Sequence, residues 1–333
     1  MIRVINPGLL TTVQDGGRYG YQKYGVIVSG AMDGFSLRVA NLLVGNPEGA
    51  PALEITLVGP RLRFEELSLI AVAGAGLAPR VDGIPVPLWR PVLVHPGAVL
   101  DFVAETSGCR MYLGVAGGIA VPQVMGSGST YLRAGIGGYK GRALQAGDAL
   151  PLGPPGEWAR TVMATWSSRL RGKSFVAAPW GVDSRLLPKY EPNPRVRAMP
   201  GPQFEAFDEE ARRKVFEADF VVLPQSDRMG YRLDGTKLAL ARPMEMISEA
   251  VTTGTLQVPP DGRPILLLAD HQTMGGYPKI AQVATVDLPV VAQVRPGGRL
   301  RFTRIELEDA QRLLRKREED IGRLRAALCH ARV

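Results

Sequence analysis

Short runs of valine, isoleucine and leucine, each cut off by glycine or proline, set the pattern of this chain. Such runs predict strands over 67–73, 92–94, 99–103, 111–115, 219–223, 264–269, 290–294 and 299–303. The 39 glycines and 27 prolines between them read as tight turns, which favours an all-β sandwich or barrel over alternating strand and helix. Two stretches break the pattern. Leu37, Ala40, Leu43 and Val44 stand at helical spacing before Gly45-Asn46, a stop signal. From Glu306 the positions Leu307, Ala310, Leu314, Ile321, Leu324 and Leu328 draw one apolar stripe on a charged helix. Arg317 interrupts that stripe, which argues against a coiled coil and for packing on the helix's own domain.

The two halves carry matching pieces in the same order. "RYGY" at 18–21 answers "RMGY" at 228–231; Glu54 lies five residues before Gly59, as Glu249 does before Gly254. The runs "LIAVAG" at 69 and "ILLLAD" at 265 follow, then "VHPGAVLDF" at 94–102 and "VRPGGRLRF" at 294–302. Four matches in order predict a duplicated β domain, each copy a closed barrel without exposed strand edges. The first copy carries an extra glycine-rich segment, about 104–155, and a Pro- and Arg-rich linker near 177–200 separates the copies.

Composition narrows the class. The 333 residues allow a large core, and a chain 45% hydrophobic and 22% charged is not expected to be disordered. The net charge of +8 is concentrated in arginine-rich segments at 160–172 and 312–325. Without a helix-turn-helix or an aromatic-interleaved basic platform, these read as solvated faces or as a surface for an acidic partner or small anion, not for nucleic acid. Cys109 and Cys329 form neither a disulfide framework nor a zinc pattern. No run approaches the roughly 18 apolar residues a membrane span needs, and the start lacks a signal-peptide core, so the expected location is cytoplasmic.

The chemistry concentrates in "ADHQTMGGYPKIAQ", residues 269–282. An apolar strand runs straight into Asp270, His271, Gln272, Thr273, Tyr277 and Lys279 around Gly275-Gly276. An imidazole can move a proton near neutral pH, the glycine pair lets backbone N–H groups approach an oxyanion, and a lysine can meet a carboxylate or phosphate. Ser248, Glu249, Thr253 and Gln257, in "MISEAVTTGTLQVPPDG", form a second polar cluster, with Glu249 expected to pair with Arg228, echoing Glu54 near Arg18 in the first copy. A third cluster holds Ser29 and Asp33, the latter placed to cap the helix that follows. "GSGST" at 126–130 lacks the spacing of a P-loop, and there is no dinucleotide fingerprint, nucleophile elbow, zinc motif or biotinyl Met-Lys-Met tract.

"TTVQDGGRYGYQKYGVIVSGAMD", "ANLLVGN", "ALEITLVGP", "SDRMGY", "ISEAVTTGTLQVPPDGRPI" and "ADHQTMGGYPKIAQV" together resemble the biotin-dependent carboxyltransferase family, from about residue 3 to about 303. That family is also known by the names allophanate hydrolase subunit 2 and 5-oxoprolinase C subunit. The resemblance implies two tandem cyclophilin-like β-barrels, over 1–175 and 201–305, a linker at 176–200 and a terminal helix at 306–333. It implies a subunit of an ATP-dependent 5-oxoprolinase that opens 5-oxo-L-proline to L-glutamate with A-like and B-like partner chains, the ATP held with or by a partner. Fused relatives instead move a carboxyl group from biotin to urea, and one member is named as an antagonist of a kinase inhibitor, so carboxyl transfer and regulatory binding stand as alternatives. On the oxoprolinase reading His271, Asp270 and Lys279 are expected to be catalytic. Gln272, Thr273, Gly275, Gly276, Tyr277, Ser248, Glu249, Thr253, Gln257, Arg228, Ser29 and Asp33 are expected to bind substrate, with no metal.

Overall fold

The computed structural model describes residues 1–105 and 107–330, the side chains of Cys329 and His330 excepted. The chain divides into two compact units. One comprises Met1–Arg18, Asp33–Pro188 and the chain from Glu319 on; the other comprises Tyr19–Met32 and Lys189–Glu318.

The first unit is built from two six-stranded sheets. Its strands are β1 (Ile2–Asn6), β2 (Leu10–Gln14), β3 (Ala52–Thr56), β4 (Arg61–Phe64), β5 (Ser68–Ala75), β6 (Leu77–Val81), β7 (Ile84–Pro85), β8 (Val92–Val94), β9 (Val99–Ala104), β10 (Arg110–Val115), β11 (Ala149–Leu150) and β12 (Phe175–Ala177). They order as β11-β1-β4-β9-β6-β7 and β12-β8-β5-β10-β3-β2. Inward residues of both sheets, among them Val4, Phe64, Leu100, Ile55, Val72 and Leu113, share one core. Helix α1 (Gly34–Leu43) lies on β10 and β5. It packs so close that a Cβ on Gly114 would stand 2.6 Å from the Ala40 carbonyl oxygen, so only glycine fits there. Helix α2 (Glu157–Ser167), not foreseen in the sequence, buries Ala159, Val162 and Trp166.

The second unit closes. Strands β13 (Arg195–Pro200), β14 (Asp219–Val222), β15 (Gly230–Asp234), β17 (Thr255–Gln257), β18 (Ile265–Leu267), β20 (Lys279–Val283) and β21 (Arg299–Arg304) form a seven-stranded barrel in the order β13-β20-β17-β18-β15-β14-β21. Between them β16 (Glu249–Ala250) and β19 (Met274–Gly275) pair as a small ribbon. The core takes Val196, Phe220, Leu233, Leu256, Leu266, Ile280 and Phe302 from the barrel wall, Ala211 and Val215 from α3 (Glu209–Glu217), and Met32 from the 19–32 segment.

The mainly-β architecture, the short helix near 37 and the long terminal helix match the sequence pattern. Strand pairing closes the barrel only in the second unit; the first keeps two facing sheets. The stretch 290–294 is not a strand: Leu288–Val291 is helix α4, with Pro289 at its first turn, where proline's fixed φ suits a helix start. The segment expected as a linker, 176–200, contains most of β12 and all of β13, and 19–32 counts with the second unit, because hydrogen bonding and packing, not sequence order, define a unit. On α5 (Leu307–His330) the predicted stripe buries Ala310, Ile321 and Leu328, while Leu307 at the helix start is exposed.

One piece of the proposed repeat survives at atomic detail. Pro96-Gly97 and Pro296-Gly297 both make type II turns, with Gly97 at φ +90° and Gly297 at φ +85°. The turns close by Ala98 N to His95 O at 3.1 Å and Gly298 N to Arg295 O at 2.9 Å, and each leads into a strand that buries its leucine, Leu100 or Leu300.

Candidate functional site

The residues brought together at the site all lie in the second unit. The apolar strand β18 ends at Leu267, and the chain turns at once: His271 N donates to Leu268 O at 3.0 Å, and Asp270 N donates to Arg228 O at 2.9 Å. The turn keeps Asp270 and His271 at the barrel end, both buried. Beyond it the β16/β19 ribbon sets Glu249 opposite Gly275, and β20 begins at Lys279.

Arg228 and Asp270 form the centre of this construction. The guanidinium meets the carboxylate with both prongs, Nε to Oδ2 at 2.9 Å and Nη2 to Oδ1 at 3.0 Å, and both side chains are 6% exposed. Nη2 also donates to the Gly30 carbonyl at 2.5 Å, and Ser29 Oγ donates to Asp270 Oδ1 at 2.7 Å. Segment 19–32 is thus tied to the loop after β18. Ser29 takes part from a left-handed backbone, φ +57°, which costs a non-glycine residue about 1–2 kcal/mol and signals that the surrounding contacts impose it.

His271 is 7% exposed, and its Nδ1 lies 2.6 Å from the Gln272 carbonyl. A carbonyl can only accept, so Nδ1 carries the proton in the neutral ring and Nε2 keeps its lone pair. Nε2 has no hydrogen-bond partner among the described residues. Burial lowers the imidazole's pKa below the usual value, against the opposing pull of the Gln272 carbonyl and the Asp270 charge. The result is a neutral ring with one nitrogen free to accept a proton. No hydrogen bond joins Asp270 to His271.

The remaining predicted residues sort by contact. Lys279 Nζ, buried, donates to Glu249 Oε2 at 2.5 Å; its hydrogen bond and charge hold the half-exposed Glu249 carboxyl below its ordinary range. Gln203 joins them, accepting from Lys279 N at 3.1 Å; no sequence signal marked it, since it arrives from a short 3-10 turn far along the chain. A Cβ on Gly275 would stand 2.4 Å from Gln257 Nε2, so the glycine is required by the buried amide behind it. Gln257 Nε2 reaches the Tyr277 carbonyl at 3.5 Å, and the Tyr277 ring is exposed. Gly276 and Ser248 are exposed neighbours, Gln272 and Thr273 are half-buried, and Thr253 offers its carbonyl to Gln282 Nε2 at 2.9 Å.

One expectation changes, and the capping role expected of Asp33 is found. Glu249 pairs with Lys279 and not with Arg228, whose fork goes to Asp270, because the ribbon lifts Glu249 over β20. Asp33 sits in the first unit as the N-cap of α1, fully buried, accepting from Ser36 N at 2.9 Å and Ser36 Oγ at 2.7 Å. Elsewhere in that unit the "GSGST" segment wraps Asp15: Ser127 Oγ and Gly128 N donate to its carboxylate at 2.7 and 2.5 Å. Among the described residues no cluster of His, Cys, Asp and Glu could hold a metal, and no helix is long and apolar enough to cross a membrane.

The model of the carboxyltransferase domain, subdomain A and B, matches residues 24–304. The 5-oxoprolinase C subunit of Escherichia coli (strain K12) is 40% identical over 311 residues, 93% of each chain. That of Haemophilus influenzae is 37% identical over 325 residues, 98% of each. Urea amidolyase of Saccharomyces cerevisiae is 34% identical over 96% of this chain, which spans only 17% of that protein. The crystal structure of Kluyveromyces lactis urea carboxylase superposes with a TM-score of 0.87 at 33% identity, over 97% of this chain and 29% of that one.

Proposed function

Since this chain belongs to the carboxyltransferase subdomain A and B family, we propose that it is the C subunit of a cytoplasmic ATP-dependent 5-oxoprolinase, opening 5-oxo-L-proline to L-glutamate with A-like and B-like partner chains. The observation that carries this reading is sequence identity: 40% and 37% to the two 5-oxoprolinase C subunits, over 93% and 98% of this chain, against 34% to the urea amidolyase of Saccharomyces cerevisiae.

In the net reaction a water oxygen adds to the lactam carbonyl, the ring C–N bond breaks and the nitrogen takes up a proton. His271 is the group suited to moving those protons: neutral, buried and open at Nε2. Asp270, with its oxygens committed to Arg228 and Ser29, holds the loop in place and is not a free base. Lys279, its ammonium oriented by Glu249 and its backbone N–H held by Gln203, supplies a cation for the substrate carboxylate or for the developing oxyanion. Gln272, Thr273 and Tyr277 line the same loop and would orient the ring.

ATP finds no cradle among these residues: "GSGST" is occupied with Asp15, and no glycine-rich phosphate loop leads into the site. The reading therefore has nucleotide bound away from this loop, with or by a partner chain. The test is glutamate release from 5-oxoproline by the reconstituted subunits, with His271→Ala reducing it. The second reading is carboxyl transfer from biotin to urea or a similar amide, favoured by the overlay on urea carboxylase. Carboxylation supported by added carboxybiotin, without oxoproline turnover, would establish it in place of the first.

A further inference from the structure

At the barrel end opposite His271, arginines crowd the outer wall of the second unit. The direction follows from register: Gly230 pairs with Leu267 at the loop end, while the other end of β15, Asp234, pairs with Val221 of β14, so Asp219 lies at the far end. There Arg301 stands beside Arg195 across the parallel β13/β21 pair and beside Asp219 across the antiparallel β14/β21 pair. Arg299 lies two residues back on the same face of β21. Val196, Phe220, Leu300 and Phe302 alternate with these residues into the core, so the charged side chains point outward. With Asn193 they line a hollow of about 360 Å³.

Three guanidinium groups share this hollow with one carboxylate, which leaves two positive charges in excess. Asp219 is spent on Arg301, Oδ1 to Nε at 2.7 Å, while Arg299 stands 4.0 Å away. Arg195 has no acidic partner within ion-pair distance among the described residues. Asn193 Oδ1 accepts from Arg299 N at 3.0 Å, which leaves its Nδ2 as a further donor. The uncommitted groups are thus all donors; the arginines are carried on strands β13 and β21, and Asn193 on the bend just before β13. The Arg301 hydrogen bond, with the fields of Arg301, Arg299 and Arg195, also keeps the Asp219 carboxyl below its ordinary range despite opposing desolvation, so the aspartate does not act as a donor near neutral pH.

We infer that this hollow binds a phosphate group, either a free anion such as inorganic phosphate or pyrophosphate, or the phosphoryl end of a nucleotide. A monocarboxylate would balance only one of the two excess charges, whereas a phosphate dianion balances both and presents oxygens to more than one planar fork. The inference does not rest on the oxoprolinase reading. It concerns binding, not chemistry, and its residues are separate from the His271 loop.

The experiment is titration calorimetry of the full chain with phosphate, pyrophosphate and ATP, repeated with Arg195→Gln/Arg299→Gln and with Arg263→Gln as a surface-arginine control. Saturable binding at one site is expected. The double variant should weaken it tenfold or more, and the control should leave it unchanged. Raising salt from about 50 to about 200 mM should also weaken it, since arginine–phosphate contacts are screened. Tighter binding of ATP than of pyrophosphate would identify a nucleotide as the source; equal binding would identify a free anion. Should the double variant melt early, Arg195→Gln alone serves, because its exposed side chain makes no ion pair. Absence of saturable binding for all three ligands overturns the inference, as does undiminished binding in the double variant. Loss of partner-subunit capture without any phosphate binding would overturn it in favour of an acidic protein surface.

Discussion

Replacing Arg228 with methionine keeps much of the apolar stem but strips two bonds from Asp270 and one from the Gly30 carbonyl. Counted singly, at about 1.5–3 kcal/mol for a hydrogen bond involving a charged group, the three sum to roughly 4.5–9 kcal/mol. That sum overshoots, because bonds sharing one guanidinium are not additive and the loop relaxes around the loss. The expected loss is about 3–5 kcal/mol, the range for removing one partner of a buried pair. Urea unfolding followed by circular dichroism measures it. One further sign is expected. Arg228→Met/Asp270→Leu leaves no buried charge and should recover at least about 2 kcal/mol relative to the additive sum. A deficit under about 1 kcal/mol, additive with Asp270→Leu, would refute the claim that this pair fixes the loop.

Other consequences are direct. His271→Ala should lower kcat of the reconstituted complex about 10²–10⁴-fold, and the wild-type acid limb should fall below the ordinary histidine value of about 6.5, because burial resists protonation. The same depressed pKa means that stability is lost as pH drops from the unfolded value through the folded one, so His271→Gln should flatten that part of a melting-temperature profile. Gly275→Ala drives a methyl into Gln257 and should cost about 1–3 kcal/mol by chemical denaturation. Glu249→Gln should raise KM for the anionic substrate more than it changes stability. The small stability contribution of wild-type Glu249, whose pKa is lowered, is present above the carboxylate's unfolded pKa and disappears as pH falls through the folded one, measurable as a wild-type-minus-variant difference.

The sequence was most legible where one local rule decided. Short apolar runs bounded by turn residues placed β5, β8, β9, β10 and β21 closely, since a run too short for a helix and closed off by turn signals leaves little choice. The 290–294 stretch misled, because an apolar run of four or five residues fits a buried strand or a helical turn equally, and Pro289 just before it is the decisive detail. At the site, the "DHQ" segment was visible as polar residues ending an apolar strand. Its partners were not: pairing of Asp270 with Arg228 and Ser29, and of Lys279 with Glu249 and Gln203, depends on contacts across dozens to hundreds of residues. Sequence proximity suggested Glu249 for Arg228; the ribbon geometry assigns otherwise.

The most direct test of the central claim mixes this chain with A-like and B-like partner chains, supplies 5-oxoproline and ATP, and measures glutamate. ATP-dependent release that requires this chain, and that collapses with His271→Ala while the complex still assembles, is expected. Release that proceeds unchanged with His271→Ala, or without this chain, would contradict it.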